Sequence, residues 1–200
     1  LLLDEVESMP LLAQAKVPGL CDGERCLDEV LLHDLGARVA ASGDQLVVLH
    51  QLGNHGPAYH KRYPEAFRRF VPTCDTADLR RCTRDEIVNT YDNALLYTDH
   101  VLARAIDWLR ARQASHDTAL VYLSDHGESL GENGIYLHGL PYAIAPEAQT
   151  RVPMLMWLSP GFAAGLRVDP ACLRTRAAQP VSHDHLFHTL LGLFDVTTQA

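Results

Sequence analysis

The chain has no uninterrupted apolar run near the 20 or so residues a membrane-spanning helix needs, and it does not open on a basic stretch followed by a hydrophobic one. Nothing in it reads as a membrane span or a secretion signal, so these 200 residues are expected to be soluble by themselves. Basic runs are also scarce. The 17 Lys and Arg never gather more than two in a row and face 25 Asp and Glu, for a formal charge of −8. A polyphosphate backbone calls for a basic patch, so no nucleic acid is expected as partner. Cys-x2-Cys pairs are absent as well, which removes the zinc knuckle. The five cysteines fall instead as Cys21 with Cys26, Cys74 with Cys82, and Cys172 alone. Each pair flanks a polar loop and suits a short disulfide-closed loop in an oxidising compartment, contributing about 2 to 3 kcal/mol each. Five reduced thiols in a cytosolic protein would show the same spacing, and composition leaves both possibilities open.

What is present begins with 47% hydrophobic residues, enough for a two- or three-layer core in one domain. The run 118–123 (TALVYL) has the β-branched, aromatic and aliphatic content of a buried strand. Ser124-Asp125-His126-Gly127-Glu128-Ser129 follows it directly, so a carboxylate and an imidazole arrive together at a strand's C-terminal end, where open α/β sheets bind ligands. Asp oxygen with His nitrogen is ordinary zinc ligation but supplies only two of the three or four protein ligands required. Two further loops could supply the rest. His138 lies in the loop 131–141 (GENGIYLHGLP), and the strand-like run 44–49 leads into His50-Gln51-Leu52-Gly53-Asn54-His55-Gly56-Pro57. An Asp-His dipeptide alone is most often a surface turn; placed after a strand and joined by two His-Gly loops, it becomes a candidate site.

Along the chain, Leu27, Val30, Leu31, Leu35 and Val39 recur at helical steps and predict a helix over 27–41, followed by a strand over 45–49. Between Asn54 and Pro72, Lys61, Arg62, Arg68 and Arg69 interleave with Tyr59, Tyr63, Phe67 and Phe70; such a mixture can meet lipid phosphates, but it more often forms a solvated loop and a short helix whose aromatics pack down. Thr83-Arg84-Asp85-Glu86 is a capping box, beyond which Ile87, Tyr91, Leu95, Thr98, Leu102, Ala105 and Leu109 predict about seven helical turns. Residues 152–158 (VPMLMWL) predict another buried strand, 160–180 a long surface connection, and 182–194 a last helix with Ser182 as a plausible N-cap. The helix–strand alternation is that of an α/β fold. His183, His185 and His188 crowd the last helix, but steps of two and three do not set all three on one face.

Four strings carry a resemblance: HQLGNHGPAYHKRYP from His50, IVNTYDNALLYTDHVLARAIDWL from Ile87, SDHGESLGENGIYLHGLPYAIAP from Ser124 and QTRVPMLMWLSP from Gln149. Together, from about Val17 to about Val196, the chain resembles the catalytic domain of the lipid A phosphoethanolamine transferases, members of the alkaline phosphatase and sulfatase superfamily, some of which confer polymyxin (colistin) resistance. The resemblance implies a three-layer α/β/α sandwich with a mostly parallel central sheet, incomplete here at its N-terminal side, so that residues 1–200 would be the C-terminal part of a single catalytic domain. It implies a periplasmic position at the inner membrane, reached through an N-terminal membrane domain missing from this sequence, and disulfides Cys21–Cys26 and Cys74–Cys82, because the family has pairs at matching places. It implies transfer of phosphoethanolamine from phosphatidylethanolamine to lipid A through a zinc-activated Thr. On that pattern Asp125 and His126 are zinc ligands, His55 and His138 hold the phosphoryl oxygens or a second zinc, and His138 protonates the leaving oxygen. Glu128 and Asn54 would support these from behind, and His183-Asp184 matches a pair that lines the site.

The Thr nucleophile and a Glu ligand of the family have no match in these residues. Glu5, in the strand-like run LLLDEVES, is only a weak stand-in for that Glu. The expectation is a half-built zinc site with little or no transferase activity of its own. A sulfatase- or phosphodiesterase-type hydrolase is the alternative within enzymes, and an inactive fragment or zinc-binding module the alternative outside them.

Overall fold

A computed structural model describes residues 16–197, so Glu5 and its strand-like run lie outside the described residues. The chain divides into two compact units, one ending at Ala105 and resuming over Leu123–Met154, the other formed by Ile106–Tyr122 and the chain from Leu155 onward. Among the described residues no helix is long and apolar enough to cross a membrane.

The first unit is organised round the long helix Arg84–Arg110, most of which it contains. The capping box closes as expected. Thr83 N–H donates to Glu86 Oε2 at 2.7 Å and Glu86 N–H to Thr83 Oγ1 at 3.3 Å, satisfying two of the donors that a helix start leaves free. The buried face, however, is turned from the predicted stripe: it runs through Ile87, Thr90, Asn93, Ala94, Tyr97, Thr98, Val101 and Ala105, while Leu95 is 47% exposed. Apolar periodicity passes over Thr90 and Asn93 because they are polar, yet both are fully buried and bonded. Thr90 Oγ1 accepts the Cys74 N–H at 2.7 Å. Asn93 Oδ1 accepts the N–H groups of Arg69 and Phe70 at 2.7 and 2.9 Å, and its amide donates to Phe70 O at 2.8 Å. The helix thereby satisfies the backbone of an irregular segment that has no ladder of its own.

Three apolar clusters surround that helix and the preceding segments: Tyr59, Cys74, Leu79 and Ile87; Tyr63, Ala94, Tyr97 and Val101; and Val30 with Leu31. Both expected disulfides are formed, Cys21–Cys26 and Cys74–Cys82, and Cys172 is free and exposed. The helix predicted over 27–41 is interrupted. A 3-10 turn over Asp28–Leu32 and a short helix Leu35–Arg38 are separated by Asp34 at φ +53°, a left-handed conformation that Asp tolerates better than most residues. The strand predicted over 45–49 is not formed. Among the described residues no neighbour pairs with it, and Leu46, Val47 and Val48 are 43%, 44% and 59% exposed. A hydrophobic alternation becomes a strand only when a second backbone accepts its hydrogen bonds.

Four strands are present among the described residues: β1 (Ala119–Leu123), β2 (Ser129–Leu130), β3 (Tyr136–Leu137) and β4 (Met154–Leu158). They form two two-stranded sheets, β1 with β4 and β2 with β3. Ser159 N–H donates to Thr118 O at 2.8 Å and Ser124 N–H to Pro153 O at 3.5 Å, so partner numbers fall along β1 and the two strands run in opposite directions. The mostly parallel pairing expected of the central sheet is thus not displayed by these strands. With a single neighbour each, β1 and β4 are half-exposed and not fully buried.

The second unit holds the bodies of β1 and β4 and three helices. Two of them, Pro160–Gly165 and Pro170–Arg176, replace the surface connection predicted over 160–180. Each starts with a capping side chain and Pro at the first position: Ser159 Oγ accepts Phe162 N–H, and Asp169 accepts Ala171 N–H. The last helix, Asp184–Leu193, lies where expected, with His183 in place of Ser182 as its cap residue.

Thr83→Ala is expected to lower stability by about 1 kcal/mol in denaturant unfolding. The Thr83 backbone N–H and hydroxyl hold the Glu86 carboxyl below the ordinary glutamate value of 4.5. Because this folded-state pKa is depressed, the box's full contribution is present above pH 4.5 and is lost as the pH falls through the lowered value. The difference in thermal midpoint between the natural chain and Glu86→Gln is expected to shrink over that window.

Candidate metal centre

Two loops of the first unit build the site. The first leaves β1 at Leu123 as Ser124-Asp125-His126-Gly127, then forms β2 and returns through β3 to His138. Ser129 lies opposite Leu137 and Leu130 opposite Tyr136, so one step beyond this antiparallel register Glu128 faces His138. The His138 Nδ1 to Glu128 Oε1 distance is 3.0 Å. Leu137 takes φ +63°, a left-handed conformation costing a residue with a side chain about 1 to 2 kcal/mol. That strain sits immediately before His138. Gly127 is required where it stands: a Cβ would run into the Ala148 carbonyl oxygen, and its N–H donates to Gln149 O at 2.9 Å. Gln149, 6% exposed, also donates its amide to the buried Ser129 hydroxyl at 2.9 Å, bracing the loop from below.

The second loop carries His55. A turn closes with His55 N–H on Leu52 O at 3.2 Å. The Asn54 amide donates to Tyr91 O at 3.1 Å and its oxygen accepts the Thr98 hydroxyl at 2.9 Å, so both partners lie on the long helix. Gly56 N–H then donates to Glu128 Oε1 at 3.1 Å. A Cβ on Gly56 would come within 2.6 Å of the Leu137 side chain and 2.7 Å of the Tyr59 hydroxyl, so only glycine allows the two loops to approach this closely.

His55, His126 and His138 converge. Their ring centroids are 6.1 Å (His55 to His126), 5.0 Å (His55 to His138) and 3.8 Å (His126 to His138) apart, and one potential ligand atom from each lies within 4.8 Å of the others. Each ring has its Nδ1 against an acceptor: Gly56 O at 2.7 Å for His55, Gly127 O at 3.1 Å for His126, and Glu128 Oε1 for His138. A carbonyl can only accept, so in His55 and His126 the hydrogen sits on Nδ1 and the Nε2 lone pair is left for a ligand. The carboxylate of Glu128 imposes the same tautomer on His138.

Glu128 is the buried member, its side chain 4% exposed while the His126 and His138 side chains keep 32% and 29%. Besides Gly56 N–H and His138 it accepts the Tyr59 hydroxyl at 3.1 Å. Burial, with Glu128 beside it, pushes the Tyr59 phenol well above the ordinary tyrosine range, so Tyr59 remains a donor. Asp125 stands apart from the tight group. Its side chain is 80% exposed; Oδ1 accepts the His126 N–H at 3.0 Å and Oδ2 lies 3.7 Å from His126 Nε2. Among the described residues the three histidines are the only group of this kind, and His183, His185 and His188 do not form one.

Of the residues singled out in the sequence, the structure therefore brings together His55, His126, His138 and Glu128, sets Asp125 at their edge, and ties Asn54 to the long helix. Tyr59 and Gln149 were not anticipated. Tyr59 lies in the quoted HQLGNHGPAYHKRYP string and Gln149 opens QTRVPMLMWLSP, the one signal that could have marked either; periodicity marks neither. Three imidazoles whose Nδ1 atoms are engaged, one of them backed by a buried carboxylate, suit a divalent transition-metal ion.

A family model described as Sulfatase matches residues 8–196. Phosphoethanolamine transferase EptA of Escherichia coli (strain K12) is 53% identical over 185 residues, 92% of this chain and 34% of that protein. Among solved structures, the integral membrane protein lipooligosaccharide phosphoethanolamine transferase A (EptA) from Neisseria meningitidis superimposes with a TM-score of 0.87 at 46% identity, over 92% of this chain and 34% of that one. The C-terminal periplasmic domain of phosphoethanolamine transferase EptC from Campylobacter jejuni gives 0.77 at 48% identity, over 86% and 54%. The fold is thus sulfatase-like, and the chain spans about a third of the length of the curated relatives it matches.

Glu128→Gln keeps the side-chain shape but removes the charge that three donors share. It is expected to weaken divalent-metal binding by about 10- to 100-fold, read by calorimetric titration with Zn2+, because outer partners of metal-ligating histidines have effects of that size.

Proposed function

The chain belongs to the sulfatase family, and from that premise we propose that it forms the histidine side of a zinc centre in an enzyme that moves phosphoethanolamine from phosphatidylethanolamine to a lipid A phosphate. The single observation that carries this is the convergence of three imidazoles, each offering a ligand atom within 4.8 Å of the others and each with its Nδ1 engaged. The likeness at 53% identity to a named phosphoethanolamine transferase supports the substrate class.

In the proposed centre Asp125 and His126 are zinc ligands, while His55 and His138 take a second ion through Nε2 or, with Nε2 protonated, the phosphoryl oxygens. Zinc, when bound, supplies a Lewis acid that offsets charge on the phosphoryl group and on the attacking oxygen. His138 is the residue set to deliver a proton: with its Nδ1–H held by Glu128, Nε2 can take up a proton from solvent and pass it to the departing oxygen. Glu128 keeps that ring from rotating and, through Gly56 N–H, keeps the His55 loop at a fixed distance. The family's Thr nucleophile and Glu ligand have no counterpart in this sequence. With a formal charge of −8, the chain offers no long-range attraction to anionic lipid, so local cations must do that work within the roughly 8 Å that physiological salt permits.

Two disulfides and the likeness to a C-terminal periplasmic domain support a periplasmic placement at the inner membrane, with residues 1–200 as part of one catalytic domain. Polymyxin resistance enters through the family resemblance alone. A hydrolase of sulfate or phosphate esters is the second reading, favoured by the family model itself.

The chain is expected to bind zinc, and His55→Ala, His126→Ala and His138→Ala each to weaken binding at least 10-fold. Binding insensitive to all three would remove the proposal. With phosphatidylethanolamine as donor and lipid A as acceptor, the 200-residue chain alone is expected to transfer little or nothing, since none of its residues matches the nucleophile. Measurable turnover would show that one lies within it, and release of free phosphoethanolamine without an acceptor would favour the hydrolase.

A further inference from the structure

All three rings are held at Nδ1, and the loop that carries His55 is held in addition by a residue from well upstream. Asp28, 9% exposed, opens the 3-10 turn that follows the Cys21–Cys26 loop. Both of its oxygens are spent on one place: Oδ1 accepts Leu52 N–H at 3.0 Å and Oδ2 accepts Gly53 N–H at 2.7 Å. Those are the first two peptides of the turn that His55 N–H closes on Leu52 O. On the far side, Arg62 Nε donates to His55 O at 2.8 Å. Asp28 and Arg62 also attract one another, and both are partly withdrawn from water.

An isolated turn does not need this. Two peptide N–H groups near the surface are readily satisfied by water, whereas a buried carboxylate carries a desolvation cost. That cost is visible: burial outweighs the two N–H bonds and raises the Asp28 carboxyl above its ordinary range. A charge held at such expense, bonded on both oxygens to a turn 24 residues away, is there to fix a geometry.

We propose that Asp28, assisted by Arg62, is a positioning residue for His55: a buried carboxylate clamp on the Leu52–Gly53 peptides that sets the distance and tilt of the His55 ring beside His126 and His138. This rests on the reading of the three histidines as a metal centre. Asp28 touches neither metal nor substrate and acts only through the backbone of the turn.

The test is a double-mutant cycle on the 200-residue chain with Co2+ as probe, reading affinity and the d–d absorption bands, with thermal midpoint measured in parallel. Asp28→Asn retains size but replaces one acceptor by a donor facing an N–H. It is expected to weaken Co2+ binding about 10-fold and to change the band pattern. In the background of His55→Ala it is expected to have no further effect on affinity, because the ring it positions is gone. A merely structural role would lower the thermal midpoint and leave affinity unchanged, or would weaken binding equally with and without His55; either result overturns the proposal. Should Asp28→Asn fail to fold, Arg62→Met, which removes the bond to His55 O, carries the same cycle with the same expected non-additivity. A natural chain that binds Co2+ with no dependence on His55 overturns both this proposal and the metal-centre reading, whereas His55-dependent binding with an additive Asp28 effect overturns this one alone.

Discussion

The contact on which the rest of the site depends is the buried carboxylate of Glu128. Three donors reach it from three places: the Gly56 peptide, the Tyr59 hydroxyl, and the His138 ring. Hydrogen bonds to a charged partner contribute about 1.5 to 3 kcal/mol each, and stripping one partner from a buried charge leaves a penalty of similar size. The two loops it joins are 72 residues apart in sequence at the Gly56 bond, so no local propensity could hold them in register. Glu128 therefore does for this site what a hydrophobic core does for a domain, with the difference that its bonds are directional. It sets the His138 tautomer and spaces the His55 loop in one stroke.

That carboxylate is itself reached through the core. Tyr59 packs with Cys74, Leu79 and Ile87, with Cys82 and Tyr91 against the cluster, so the Cys74–Cys82 staple, the capped start of the long helix and the Tyr59 hydroxyl belong to one packed group. The polar members of the helix's buried face complete it, since Thr90 and Asn93 hold the backbone of residues 69–74, which contributes Cys74 to the cluster. Stability and geometry are continuous here. A helix with a purely apolar inner face would bury more surface, strip the Phe70 N–H and carbonyl of the partners Asn93 gives them, and leave Arg69 and Cys74 N–H with only the Phe67 and Glu86 carbonyls.

How much of this could be read beforehand follows from what each signal measures. The long helix was legible at its start because a capping box is a local contact between residues three apart; its inner face was not, because the polar residues there are buried only by virtue of a distant backbone. The run 45–49 has a strand's composition, but composition says nothing about whether a second strand is at hand, and here none is among the described residues. The composition of 160–180 reads as a loop, although Ser159-Pro160 and Asp169-Pro170 are each a cap followed by the one position where a helix accepts proline. His55, His126 and His138 were legible as a set because each lies in a His-Gly loop. Asp28, Tyr59 and Gln149 act on that set through bonds that only the folded chain creates, so that even the strings holding Tyr59 and Gln149 do not disclose their roles.

The arrangement also bears on what kind of ligand the three rings suit. His55, His126 and His138 offer ligand atoms within 4.8 Å of one another, and the carboxylates beside them, Asp125 at the edge and Glu128 behind, are of one sign. A ring whose Nδ1–H is held by an acceptor has only a lone pair to offer at Nε2, so this group of side chains would suit a divalent cation better than a bare anion, and a cation held there would offset the charge around it. The fixed tautomers matter for the same reason: a single ring turned to present N–H to the ion would oppose it while leaving the other two too few to hold it.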